Sequence, residues 1–239
     1  MSALANQVKD FGPDFRTPLG LTPLMLAARA GNREFLEALL AQGADPEARD
    51  PFGYTPFLHA LERALEEETF ARERFPLVAD LLAPTALDVQ AEGHLVRLYP
   101  RMAEYWAFLA ALASLKALAL PQVRLRGPLL LEGVTAHHLT ESLGRLPPAL
   151  LPATLARKET LEERRAYLGA VLARSEVNSD YRPARRLFLR VRRGRYLPNP
   201  RLLLRLREGE AAWTPLAEVM DLEGLGLGGP HLEGQAWGA

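Results

Sequence analysis

His137, His138 and Glu141 stand within one helical turn, and imidazole with carboxylate is a donor set that zinc accepts. A metal needs a further ligand from a distant part of the chain. His59, His94 and His231 are scattered and show no ligand spacing. The trio therefore reads as a polar helix surface, and no metal is expected. The chain has no cysteine, which removes disulfides, thiolate ligands and a cysteine nucleophile. No Gly-x-Ser-x-Gly turn, phosphate loop or dinucleotide glycine pattern occurs. Glu66, Glu67 and Glu68 form a charge run of the kind found on a solvated helix face. The sequence predicts neither an enzyme nor a cofactor.

Binding chemistry is better represented. Between Arg182 and Arg207 there are ten arginines and no acid. The stretch 186–197 alternates with period two, Leu187, Leu189 and Val191 on one side and Phe188, Arg190 and Arg192 on the other. In 201–207, Leu202, Leu204 and Leu206 oppose Arg201, Leu203, Arg205 and Arg207. With Pro198-Asn199-Pro200 as the turn, this predicts an antiparallel hairpin with one apolar and one arginine face. Guanidinium groups interleaved with Phe188 and Tyr196 suit an anionic partner, so Phe188, Arg190, Arg192, Arg195, Arg201, Arg205 and Arg207 are its candidate contacts. That partner could be an acidic protein, a nucleic acid or this chain's own acidic half. The sequence carries no zinc finger or other nucleic-acid motif.

Composition bounds these readings. The chain has 239 residues, 48% hydrophobic and 24% charged, enough for one large or two smaller globular domains. Its zero net charge hides an asymmetry: residues 1–121 carry 16 acids and 11 bases, residues 122–239 carry 13 acids and 18 bases. Only three of the 29 bases are lysine, a preference that GC-rich or heat-adapted genomes also produce. The longest apolar run, 105–115, is too short to span a bilayer and predicts a buried helix. The first residues show no signal-peptide pattern, so a cytoplasmic location is expected.

The elements that would position these residues divide into two halves. Gly20, Thr22, Pro23 and Ala27 recur as Gly53, Thr55, Pro56 and Ala60, each 33 residues later. Thr22 is placed to cap a helix, Pro23 suits its first turn, and Gly31 can end it. Phe35, Leu36, Leu39 and Leu40 make the apolar stripe of a second helix that Gly43 stops. Pro13, Asp14, Arg16, Pro18 and Gly20 precede Pro46, Glu47, Arg49, Pro51 and Gly53 by the same interval, so residues 2–20 read as a half repeat. Residues 81–94 echo residues 39–51 at a longer spacing, and 98–120 are helical by pattern, as a third repeat or a cap.

The Gly-x-Thr-Pro-Leu, Ala-Ala-x-x-Gly and Leu-Leu-x-x-Gly-Ala-Asp segments resemble the ankyrin repeat family, over about residues 2–96 and more weakly to 120. The resemblance implies a non-catalytic helical stack that binds proteins through its loop tips and inner helices. Arg16 and Leu19, then Arg49, Phe52 and Tyr54, fall at the tips. Met25, Arg29, Leu58 and Glu62 fall on the inner helices. Beyond Pro121 the pattern changes to strands near 122–134, a short helix capped by Thr135, a helix over 158–176 with a capping box at Thr160 and Glu163, the hairpin, and a glycine-rich tail that is flexible or packed only at Leu225, Leu227 and Trp237. The expected architecture is α+β: an all-α ankyrin-like stack over 1–120 and an α+β domain over 121–239. The expected function is a protein-binding adaptor with a basic second surface, or else a nucleic-acid binder that recruits a second factor.

Overall fold

The computed structural model describes residues 2–118, 133–205, 211–225 and 227. It contains helices and antiparallel strands, an α+β composition, in two compact units. The first comprises residues 1–84 with Arg145–Pro147; the second comprises residues 85–144 with 148–239.

In the first unit α1 (Ser2–Phe11) precedes two helix pairs. α2 (Pro23–Ala30) begins where Thr22 Oγ1 accepts the Met25 N–H at 3.3 Å, with Pro23 in the first turn. It ends at Gly31, φ +67°, where a Cβ would meet the Arg74 Cβ at 2.6 Å. Glycine alone satisfies both demands. Asn32 then caps α3 (Arg33–Ala41) through the Phe35 N–H at 2.9 Å. Thr55 repeats the cap for α4 (Pro56–Glu66), accepting the Leu58 N–H at 3.3 Å.

The extra length of the second pair is an inserted helix, α5 (Glu68–Glu73), ahead of α6 (Phe75–Leu82). α2 packs on α3 and α4, and α6 on α3 and α4. Leu24, Ala27, Ala28, Leu36, Leu39, Phe57, Ala60, Leu61, Phe75 and Val78 bury their side chains in this core. Alanines at 27, 28 and 60 let the helices approach closely.

The repeat reading ends earlier than the sequence suggests. Residues 81–94, which echo the first repeat in sequence, turn into strand β1 (Leu87–Ala91) and lead to β2 (His94–Leu98). Glu92 and Gly93, at φ +48° and +80°, make their two-residue turn. The two strands pair antiparallel, Leu87 opposite Leu98 and Val89 opposite Val96. Residues 85–118 therefore fall in the second unit, and the division lies at Pro84 instead of the expected 120. α7 (Ala103–Ala113) is neither a third repeat nor a cap: all eleven residues are buried within the second unit, as an apolar helix without a polar face requires. Four-residue α8 (Leu115–Leu118) follows it.

Two further helices of the second unit pack on α7. α9 (Ala136–Gly144) and α11 (Leu161–Arg174) pack on each other and on α7, with the short α10 (Ala153–Ala156) between them in sequence. Thr160 and Glu163 make the expected capping box. The hairpin exists, but its turn is Arg193-Gly194 and not Pro198-Asn199-Pro200. β3 (Phe188–Arg192) pairs with β4 (Arg195–Pro198), and Gly194 supplies φ +72°. Prolines at 198 and 200 offer no N–H for a continuing ladder.

The second arginine stretch goes elsewhere. β5 (Leu203–Leu204) pairs with β1 and with β6 (Thr214–Pro215), giving an antiparallel sheet in the order β2-β1-β5-β6. α12 (Leu216–Val219) follows β6. Among the tail residues that are described, Leu225 and Leu227 are buried. Of the strands expected over 122–134, residues 122–132 lie outside the described residues, as do Arg207 and the tail from 228, while Val134 makes an antiparallel bridge to Tyr196. No helix among the described residues is long and apolar enough to cross a membrane.

Candidate protein-docking site

The turns that precede α2 and α4 are built alike. Arg16 Nη1 donates to the Gly20 carbonyl at 2.8 Å, and 33 residues on Arg49 Nη1 donates to the Gly53 carbonyl at 2.7 Å. Arg16 Nη1 also reaches the Arg49 carbonyl at 2.7 Å, tying the first turn to the second. Thr17 and Asp50 occupy equivalent positions. Each donates its N–H to the carbonyl four residues on, Leu21 or Tyr54, at 3.0 Å. Each side chain then takes that residue's N–H: Thr17 Oγ1 from Leu21 at 3.1 Å, Asp50 Oδ1 from Tyr54 at 2.8 Å. Asp50 Oδ1 also accepts the Phe52 N–H at 2.9 Å, and His59 Nε2 lies 3.1 Å from its Oδ2.

Burial has consequences for these groups. Removal from water pushes the Arg49 guanidinium below its ordinary pKa, and nearby Glu47 and Asp50 oppose that. The guanidinium is nevertheless charged at any physiological pH. Its bond to the Gly53 carbonyl is therefore charge-assisted and partly shielded from solvent.

On each fixed turn one apolar side chain points outward: Leu19 is 76% exposed, and Phe52, at the equivalent position, 39%. Arg16 is exposed beside Leu19, and Arg49 is half-buried. Arg29 is exposed at 3.6 Å from the half-buried Glu62, across the α2–α4 contact, and Arg63 Nη1 donates to the Arg29 carbonyl at 2.8 Å.

The other expected contacts are internal. Tyr54 is fully buried, with its ring 5.6 Å from that of His59. Met25 and Leu58 are buried too, and the Met25 sulfur accepts the Thr22 N–H at 3.3 Å. These three side chains build the turn and the helix start and offer a partner no surface. Asp50, Thr17 and His59 complete these turns, a role the repeat pattern alone does not assign them. The signal for Asp50 was its place three residues before Gly53, where a short acceptor side chain commonly folds back on a turn.

The arginine-rich stretch of the second unit has a different geometry. Phe188 is fully buried, edge-on to Phe108 of α7 at 6.2 Å between ring centres, so it is a core residue and not an exposed stacking platform. Arg190 Nε donates to Glu176 Oε2 at 2.8 Å. Arg205 Nη1 lies 3.3 Å from Asp88 Oδ2, with its guanidinium 4.8 Å from the Trp213 ring centre. Arg97 holds the same Asp88 through both carboxylate oxygens, at 2.5 and 2.6 Å. Hydrogen bonding to Arg97 is the main reason the Asp88 carboxyl is held below its usual pKa.

Arg174 Nη2 meets the buried Glu104 Oε1 at 2.7 Å, Arg185 meets the same oxygen, and Arg186 pairs with Glu92. Arg192, Arg195 and Arg201 are engaged as well. Of the predicted arginine face, Arg190 and Arg205 are thus paired with carboxylates of their own unit, Arg205 lying also against a ring face.

His137 and Glu141 are exposed and 3.5 Å apart. Among the described residues no cluster of three metal-ligating side chains forms.

Comparison with known proteins agrees with the turn geometry. The ankyrin repeat family model matches residues 19–51. Over 46 residues the chain is 48% identical to the SH3 and multiple ankyrin repeat domains protein 2 of Homo sapiens. That stretch is 19% of this chain and 2% of the human protein. No solved structure matches. Residues 19–51 carry an ankyrin repeat, a module of protein–protein interaction from a generally non-enzymatic family.

Proposed function

We propose that the first unit is a short ankyrin stack that docks a protein partner and makes the chain an adaptor. The observation that carries this reading is the pair Leu19 and Phe52. Two exposed apolar side chains sit one repeat apart, each on a turn locked by an arginine, so a partner meets them already ordered. Pre-ordering matters because immobilising a side chain on binding costs roughly 0.5–1.5 kcal/mol. Arg16 beside Leu19, and Arg29 with Glu62 on the inner helices, supply the polar rim that protein interfaces favour. The C-terminal arginines enter this reading as internal ion-pair partners, so it extends to neither nucleic acid nor a second anionic partner.

A photo-crosslinking residue placed at 19 or 52 tests the proposal in the native host, with exposed Leu161 of the second unit as the control position. One discrete crosslinked protein from 19 and 52, absent from 161, is expected. Leu19→Glu/Phe52→Glu should weaken binding of that protein about 30-fold or more, the scale of a central anchor. Identical patterns from all three positions, or a double variant that binds as the parent does, would sink it.

A further inference from the structure

The two repeats end their inner helices differently. In the first, Gly31 turns left-handed, and its N–H and that of Asn32 close onto the Ala28 and Ala27 carbonyls, each at 3.1 Å. The residue 33 positions later is Ala64, and α4 runs past it to Glu66. Glu67 then takes extended backbone, φ −118° and ψ 107°, which stops the helix without a glycine. The last carbonyls of a helix lack helical donors and carry its negative dipole end, so a cation is the fitting partner.

That cation comes from far along the chain. Arg145 Nη1 donates to the Leu65 carbonyl, 80 residues away in sequence. The segment Arg145–Pro147 belongs to the first compact unit although the flanking residues belong to the second, and Leu146 within it is 2% exposed.

We infer that Arg145–Pro147 is an integral cap of the second ankyrin repeat, replacing with a guanidinium the closure that Gly31 gives the first. The repeat region is accordingly not separable at Pro84: residues 1–84 end with α4 open. The inference is independent of the tip-docking proposal, because Leu19 and Phe52 play no part in it.

Hydrogen exchange on the full chain tests it, with the amides of 64–67 read against those of 27–31 in the same protein. A charge-assisted bond of this kind predicts exchange at 64–67 about tenfold faster in Arg145→Ala, with 27–31 unchanged. Arg145→Lys, which keeps a charged donor, should stay within about threefold of the parent. Exchange at 64–67 within twofold of the parent in Arg145→Ala would overturn the inference. Equal acceleration at 64–67 and 27–31 would overturn it as well, since a general loss of stability is not a local cap.

Discussion

Two sets of arginines, one from each unit, do unlike jobs. In the first, Arg16 and Arg49 point at backbone carbonyls four residues away, and the arrangement repeats with the chain's own period. In the second, Arg174, Arg185, Arg190 and Arg205 point at carboxylates between 14 and 117 residues distant, with no period at all. The first kind shapes a turn and leaves its outward side chains available. The second kind cancels charge inside the unit that owns it. The number of arginines in a stretch therefore says little about a binding surface; the acceptor each one faces says much more.

This contrast can be broken at its strongest point first. Glu104→Ala leaves the Arg174 and Arg185 guanidinium groups facing each other around an empty buried position. A loss of about 3 kcal/mol in denaturant unfolding is expected, at the low end for a broken buried pair because both arginines are partly solvated. A loss below about 1 kcal/mol would show that the ion pairs of the second unit are incidental.

The next effect belongs to the first unit. Arg49→Ala removes the charge-assisted bond that closes the second turn and should cost about 2 kcal/mol. Arg16→Ala, exposed, should cost about 1 kcal/mol by the same measurement. Equal losses would mean that burial at the second turn contributes nothing. A reversed order would make Arg16, through its bond to the Arg49 carbonyl, the main tie between turns.

The smallest effect is the one that depends on pH. The Asp88 carboxyl is depressed in the folded chain, so its contribution is complete above the ordinary aspartate value of about 4 and lost as pH falls through the folded value. Asp88→Asn should cost a few tenths of a kcal/mol at neutral pH, because the Arg97 guanidinium that holds it is about half exposed and screened by water. Its stability curve should merge with the parent's on acidification. Curves that stay parallel down to about pH 2 would assign the effect to packing.

The sequence made local features readable and left distant ones hidden. Thr22-Pro23, Thr55-Pro56, Gly31 and the interval of 33 act through neighbours a few residues away, so they announced α2, α3 and α4. The β1–β2 hairpin carried a local signal too, Glu92-Gly93 between alternating runs, but the longer-range echo of the repeat obscured it. Tyr54 and Phe52 are two residues apart on one turn and look equally fit to contact a partner. Only the closure of the turn on Asp50 shows that one is buried and the other presented. Phe188 lay on the expected solvent face because period two assumes one covered side, whereas Leu187, Phe188 and Leu189 are all covered. The pairs that neutralise the arginines depend on which segments β1, β5, α7 and α11 bring together, and no local spacing encodes that.

The bond from Arg16 to the Arg49 carbonyl spans one repeat and behaves as a ruler. The first turn supplies the reaching guanidinium, and the second supplies the carbonyl it grasps. The reach from Arg16 to the Arg49 carbonyl holds only while the two turns stay one period apart, so a change in the length of chain between them costs this tie as well as the helix packing.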